Sequence, residues 1–324
     1  MKKIIGLCLV VLVFTLSGCT ESSVGCAEGL TLEDGVCFLE EDNQPLPEDE
    51  EQEEQEEQEE EEELPAGSCV MDINDYSVSD YEMVWNDEFE TDGMLDDTKW
   101  EYLIGNGGSY GIPGWGNGEL QYYSNDLKNV EVKDGELIIT ATTEGYAQYG
   151  YTSGRVRTMN LGDFQYGVVE VCAKMPDTLG TWPAIWMLPT DSPYGGWPNG
   201  GEIDIMEAVG FESNTVHFNI HTKNDNWGNG QSVGSHSTIN NIATEYHRYG
   251  IKWLENKIIF YVDGVQEFTY TPVNDEHGYW PFDTEFHLIL NIAVGGAWGG
   301  IRGIEEGNWD DSMYVDYVRV YQEK

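Results

Sequence analysis

From about residue 81 to the end, short β-branched and aromatic runs alternate with Gly, Asp and Asn, and no segment carries a long amphipathic helical period. No other feature constrains the fold as much, because such a chain can bury its apolar faces only by packing sheet on sheet. Leu137-Ile138-Ile139-Thr140-Ala141-Thr142 follows an Asp134-Gly135 turn. Lys257-Ile258-Ile259-Phe260-Tyr261-Val262 runs into Asp263-Gly264 and then Val265-Gln266-Glu267-Phe268, the signature of a two-residue hairpin. The chain closes on an alternating run from Met313 to Tyr321. The stretch 68–324 has the length of one large all-β domain and holds all 11 tryptophans. A two-sheet antiparallel sandwich is the predicted architecture.

The preceding residues read differently. Lys2 and Lys3 precede a nearly unbroken apolar run, Ile4 to Leu16, which is the pattern of a secretory signal and short for a membrane span. Leu16-Ser17-Gly18-Cys19 resembles a bacterial lipobox, so residues 1–18 are expected to be removed and Cys19 lipidated. The mature chain would then be an extracytoplasmic, membrane-anchored lipoprotein. Residues 19–67 are expected to form a disordered Glu-rich linker, since 40–63 has almost no apolar content to offset its ordering entropy. That run holds 16 of the 60 acidic residues, and the formal charge is −45. The domain itself stays acidic, which argues against nucleic acid and anionic polysaccharides and leaves a neutral substrate. Export permits disulfides. Cys26, Cys37, Cys69 and Cys172 allow three pairings, of which Cys26–Cys37 with Cys69–Cys172 is the economical one.

Three carboxylates crowd into Gly201-Glu202-Ile203-Asp204-Ile205-Met206-Glu207. Like charges this close raise one another's pKa, which is the condition acid/base chemistry at a glycosidic bond requires. On a strand, Glu202 and Asp204 share a face while Ile203 and Ile205 enter the core. Strict alternation would turn Glu207 away, and a β-bulge at Ile205-Met206 would bring it back.

Glu-Ile-Asp-Ile-Met-Glu resembles the signature of glycoside hydrolase family 16 in its bulged, laminarinase-like form. Trp85-Asn86-Asp87-Glu88-Phe89, the run Trp115 to Tyr123, the run Gly180 to Pro189 and the run Val315 to Tyr321 are similar to further family motifs in the same order. The resemblance covers about Tyr81 to the end. It implies a concanavalin-like β-jelly roll of two curved antiparallel sheets, with a substrate cleft on the concave face. It also implies retaining hydrolysis with no catalytic cofactor. Glu202 would be the nucleophile, Glu207 the acid/base and Asp204 the assisting residue between them.

Trp182 and Trp186, four apart on a strand, would share a face and stack on sugars. Trp115, Asn117, Glu119 and Gln121, in what resembles the glycone-side loop, would hydrogen-bond sugar hydroxyls. Arg155 resembles the family's cleft arginine, with a structural ion pair as the alternative. His221 is expected in the cleft. His217 and His221 are also four apart, but no third ligand stands at zinc spacing. Trp298 remains available for stacking, although Gly295-Gly296-Ala297-Trp298-Gly299-Gly300 lacks the Asn and Pro of the family's Gly-Gly-Asn-Trp-Pro-Gly. The insertion 191–200 is rich in turn residues and would shape one cleft wall. The resemblance also implies a structural calcium on the convex face, far from the chemistry, held by Asp316 and the backbone carbonyls of Glu88 and Gly135; the alternative is that Asp316 caps a strand pairing. The expected protein is a monomeric endo-β-1,3-glucanase acting on neutral β-glucan. A mixed-linkage β-1,3-1,4-glucanase and a non-catalytic glucan-binding lectin are the alternatives.

Overall fold

The computed structural model describes residues 30–33, 36–39, 69, 73–231 and 233–324. The signal, Cys19, the Glu-rich run and a Cys26–Cys37 bridge lie outside the described residues. The chain divides into two compact units, Met1–Glu61 and Glu62–Lys324. In the first, β1 (Leu30–Glu33) and β2 (Val36–Leu39) pair antiparallel. This hairpin falls inside the stretch read as linker, where the two short runs 30–33 and 36–39 stand close together in the sequence.

The regular structure of the second unit is nearly all strand. Its elements begin with β3 (Tyr81–Asp87), β4 (Glu101–Tyr102), β5 (Gln121–Tyr123), β6 (Val130–Lys133), β7 (Glu136–Thr142) and β8 (Tyr151–Ser153). They continue with β9 (Arg155–Arg157), β10 (Asp163–Phe164), β11 (Gly167–Lys174), β12 (Thr181–Pro189), β13 (Glu202–Glu207) and β14 (Thr215–His221). The last are β15 (Val233–Thr238), β16 (His247–Leu254), β17 (Lys257–Val262), β18 (Val265–Tyr270), β19 (Phe286–Val294) and β20 (Asp310–Glu323). One sheet is ordered β15-β14-β13-β12-β19-β9-β4, with β10 also on β19. The other is ordered β18-β17-β16-β11-β20-β7-β8-β5, with β3 on β20 and β6 on β7. All pairs but β5–β8 are antiparallel among the described strands.

The predicted sandwich is therefore the observed one. Its core joins the inner faces: Phe218 of β14 meets Phe260 of β17 at 5.9 Å between ring centroids, and Phe286 of β19 meets Trp253 of β16 at 5.4 Å. Residues alternate between buried and partly exposed along β7, as one covered face requires. Every residue of β19 is buried, and that strand runs through the interior of its sheet between β12 and β9.

Cys69 is bonded to Cys172 of β11, the pairing expected for these two, and closes 103 residues of chain. Two residues before Cys172, the fully buried Glu170 accepts hydrogen bonds from Tyr317 Oη at 2.6 Å and from Tyr76 Oη. Disulfide and carboxyl together hold the start of the domain on the second sheet.

Candidate active site

β13 carries the predicted bulge. Across β12, Ile185 faces Met206 and Trp186 faces Asp204, which leaves Ile205 without an opposite residue. Across β14, Glu202 faces His221, Asp204 faces Asn219 and Glu207 faces His217. Ile203, Ile205 and Met206 are all fully buried, so the extra residue is accommodated in the core. Glu202, Asp204 and Glu207 are thereby returned to the opposite face.

Burial makes this carboxylate group reactive. Asp204 is 3% exposed and Glu207 8%. His221 Nε2 stands 3.2 Å from Asp204 Oδ2 and 3.6 Å from Glu202 Oε1. Burial lifts the Glu202 carboxyl well above its ordinary range; Asp204's charge lifts it further, while His221 opposes. Asp204 is also held well above its ordinary range, first by burial and then by Glu207. Both causes disfavour a third full negative charge here.

Both oxygens of Glu207 are claimed by donors. Trp182 Nε1 donates to Oε1 at 3.0 Å, and Asn219 Nδ2 donates to Oε2 at 2.7 Å. Gly234 opposite Asn219 has no side chain for a reason, since a Cβ there would meet Asn219 Oδ1 at 2.2 Å. Sequence reasoning missed Asn219, although it alternates with His217 and His221 on one face of β14. Asn291 was missed as well; its Oδ1 accepts from Trp186 Nε1 at 2.8 Å. That bond holds the Trp186 ring over the Arg155 guanidinium, 4.8 Å from the ring centre.

Arg155 is buried between two indoles, with Trp115 at 4.4 Å, and Glu119 and Glu202 supply favourable charge. Trp115 is 6% exposed and packs with Tyr123 and Leu103, while its Nε1 donates to the Gly105 carbonyl at 3.1 Å. It thus supports Arg155 rather than standing free in the cleft. Gln121 requires a correction. It is fully buried, donating to Glu119 Oε2 at 2.7 Å and accepting from the Val294 N–H at 2.8 Å, so its amide is occupied inside the fold. Glu119 also accepts from Asn117 Nδ2 at 3.2 Å and Tyr123 Oη at 3.3 Å.

Trp298 packs edge-on against Trp182 at 5.5 Å and against His217 at 4.8 Å, at the Glu207 end of β13. Its glycine loop is tied down: Glu119 bridges to Gly295, and the Ala297 N–H donates to the Asn117 carbonyl at 2.8 Å. His217 Nε2 lies 3.1 Å from Glu212.

Of the residues expected to hold calcium, Asp316 lies on β20 and Glu88 just after β3, both on the other sheet, and Gly135 lies in the turn between β6 and β7. Burial lifts the Asp316 carboxyl above its usual range; the Cys69 N–H, 3.4 Å away, and the Arg319 guanidinium oppose this, while Glu136 and Glu88 add to it. The Glu88 carboxylate is already bound to Arg319, by Nε at 2.9 Å and a terminal nitrogen at 2.8 Å, which leaves the backbone carbonyl for any ion.

Adjacent buried carboxyls with opposed partners, set beside indoles on one face of a β-sandwich, suit acid/base work at a glycosidic bond. A profile of the glycosyl hydrolases family 16 matches residues 117–319, and the chain belongs to that family. It is a glycoside hydrolase on a jelly-roll fold. A beta-glucanase of Rhodothermus marinus is 43% identical over 250 residues, covering 75% of this chain and 85% of the relative. The X-ray structure of the Rhodothermus marinus laminarinase superimposes with a TM-score of 0.71 at 41% identity, covering 75% of this chain and 98% of that one. A non-specific endo-beta-1,3(4)-glucanase of the family gives 0.71 at 40% identity, covering 80% and 96%.

Proposed function

We propose that the protein is an endo-acting β-1,3-glucanase of laminarinase type that works with retention and is held outside the cytoplasm by lipid on Cys19. The observation that carries the catalytic reading is the bulged strand β13, which sets Glu202, Asp204 and Glu207 on one face with both oxygens of Glu207 fixed by N–H donors. Glu202 attacks the anomeric carbon as the glycosidic C–O bond breaks. Glu207 gives its proton to the departing oxygen, and a glycosyl ester forms on Glu202. Glu207 then takes a proton from water, whose oxygen displaces Glu202 and restores the carboxylate. Asp204, beside Glu202 and His221, adjusts the charge of the nucleophile between the two steps.

The similarity to laminarinases and to an endo-beta-1,3(4)-glucanase supports a neutral β-glucan as substrate, with mixed-linkage glucan as a secondary one. A structural calcium held by Asp316 and the carbonyls of Glu88 and Gly135 completes the reading; its role would be stability. The molecule acts as a monomer. The test is reducing-sugar release from soluble linear β-1,3-glucan and from mixed-linkage glucan by the wild type and Glu202→Gln. Rapid release from the first polymer, abolished in the variant, supports the reading. Glucan binding without release by the wild type would make the protein a lectin.

A further inference from the structure

His217 and His221 find no third zinc ligand at a suitable spacing along the sequence, but the sheet register supplies two from the neighbouring strand. Glu202 of β13 faces His221 of β14, and Asp204 faces Asn219, so both carboxylates stand beside one imidazole. His221 Nε2 lies 3.2 Å from Asp204 Oδ2 and 3.6 Å from Glu202 Oε1, and one ligand atom from each of the three side chains falls within 4.8 Å of the others. Among the described residues this is the one such group of three His, Cys, Asp or Glu side chains.

Two ligand atoms held about 2.0–2.2 Å from a zinc ion at the tetrahedral angle stand about 3.3–3.6 Å apart, close to both measured contacts. Those contacts are not hydrogen bonds. Asp204 is 3% exposed, and its Oδ2 has no hydrogen-bond partner among the described residues; neither has His221 Nδ1. A buried carboxylate oxygen that faces an imidazole nitrogen without bonding to it carries a desolvation cost that a shared cation would offset. With Nδ1 unpartnered, nothing fixes the ring tautomer, so Nε2 can exchange its proton for a metal. The group is also short of positive charge, since burial and neighbouring carboxylates both raise Glu202 and Asp204. The Glu202 side chain is 16% exposed, which leaves an ion a way in and room for a fourth ligand.

We propose that Glu202, Asp204 and His221 form a binding site for a zinc-class divalent cation, which ties up the Glu202 carboxylate and so inhibits the enzyme reversibly. The inhibition rests on the reading of Glu202 as nucleophile given above; the binding does not. One imidazole with two carboxylates favours zinc over magnesium and calcium, which prefer shells of oxygen alone. A second histidine group competes for the same ion: the His217 and His236 rings lie 5.6 Å apart, with Glu212 3.1 Å from His217 Nε2. Its members are the more exposed, and no buried unpartnered atom points to a ligand there.

The test is isothermal titration of the untagged, metal-stripped full chain with zinc chloride, for the wild type, His221→Gln, Asp204→Asn, His236→Ala and Asp316→Asn. Any binding by the Glu-rich run 40–63 is common to all five. The wild type should show one tight site. His221→Gln and Asp204→Asn should each weaken it at least about tenfold, because losing a mere support of a metal ligand already costs about 10–100-fold. His236→Ala and Asp316→Asn should leave it intact. In the wild type, zinc should raise KM for soluble β-1,3-glucan with kcat unchanged, dialysis should reverse the effect, and equal magnesium should have none. No tight site in the wild type would overturn the proposal, as would a site kept by His221→Gln and Asp204→Asn chains that still melt cooperatively, or one lost with His236. Inhibition that excess glucan does not relieve would overturn it without needing any variant. Tight, His221-dependent binding by a wild type that cleaves no glucan would leave the site standing and overturn the β-glucanase reading instead.

Discussion

Asn219→Ala isolates the work of one hydrogen bond. Its Nδ2 donates to Glu207 Oε2 at 2.7 Å, a short distance for a neutral donor on a carboxyl. A hydrogen bond to a charged group contributes about 1.5–3 kcal/mol, and about 1.4 kcal/mol corresponds to tenfold in rate. If that bond orients Glu207 as proton donor, its loss lowers kcat/KM on β-1,3-glucan by about 10- to 100-fold. The same variant should barely lower kcat/KM for dinitrophenol release from an activated laminari-oligoside, since that leaving group departs without a proton in the first step. Trp182→Phe keeps a ring but removes the donor to Oε1, so it should give the same asymmetry. Parallel losses on both substrates, or none on either, would refute the reasoning.

Three further outcomes follow from the structure. Glu202 acts as a carboxylate while burial first and Asp204 second hold its pKa well above the ordinary range, so kcat/KM should fall as pH drops through that raised value. Asp204→Asn removes the second cause; in a pH–rate profile the acid limb should move to lower pH while the maximal rate declines, and an upward move would contradict the assignment. The Cys69–Cys172 bond closes 103 residues, and cross-links of this kind contribute about 2–4 kcal/mol. Cys69→Ala should therefore lower Tm by about 5–15 °C in a thermal melt, with kcat at low temperature preserved. Chelation should lower Tm by a few degrees and added calcium should restore it if Asp316 holds an ion; Asp316→Asn should abolish that response.

How much was legible in the sequence depends on which physical signal each residue leaves. The β13 bulge was readable because the face on which a carboxylate must lie and the two-residue period conflict at one place. The hairpin through Asp263-Gly264 was readable from its turn chemistry, although the register shift between Phe260 and Tyr261 was not. Depth was harder to read. Alternation says which face Gln121 occupies, but not that Val294 and Glu119 lie close enough to bury it completely. Trp115 reads as a hydrogen-bond donor to sugar hydroxyls because exposed and buried indoles share one letter, and its position under Arg155 depends on contacts between β5, β9 and the loop at Gly105. Asn219 and Asn291 left no signal by type, since an asparagine on a strand face is ordinary. Only their opposition to Glu207 and Trp186 gives them a task.

The central claim is that Glu202 forms a covalent glycosyl-enzyme. Incubation with a 2-deoxy-2-fluoro-laminaribiosyl fluoride, followed by mass spectrometry of the digested protein, tests it directly. A single sugar adduct on the peptide containing Glu202, assigned by fragmentation to that side chain, is the predicted result. An adduct on Asp204 or Glu207, or prompt inactivation with no adduct on this strand, would contradict it.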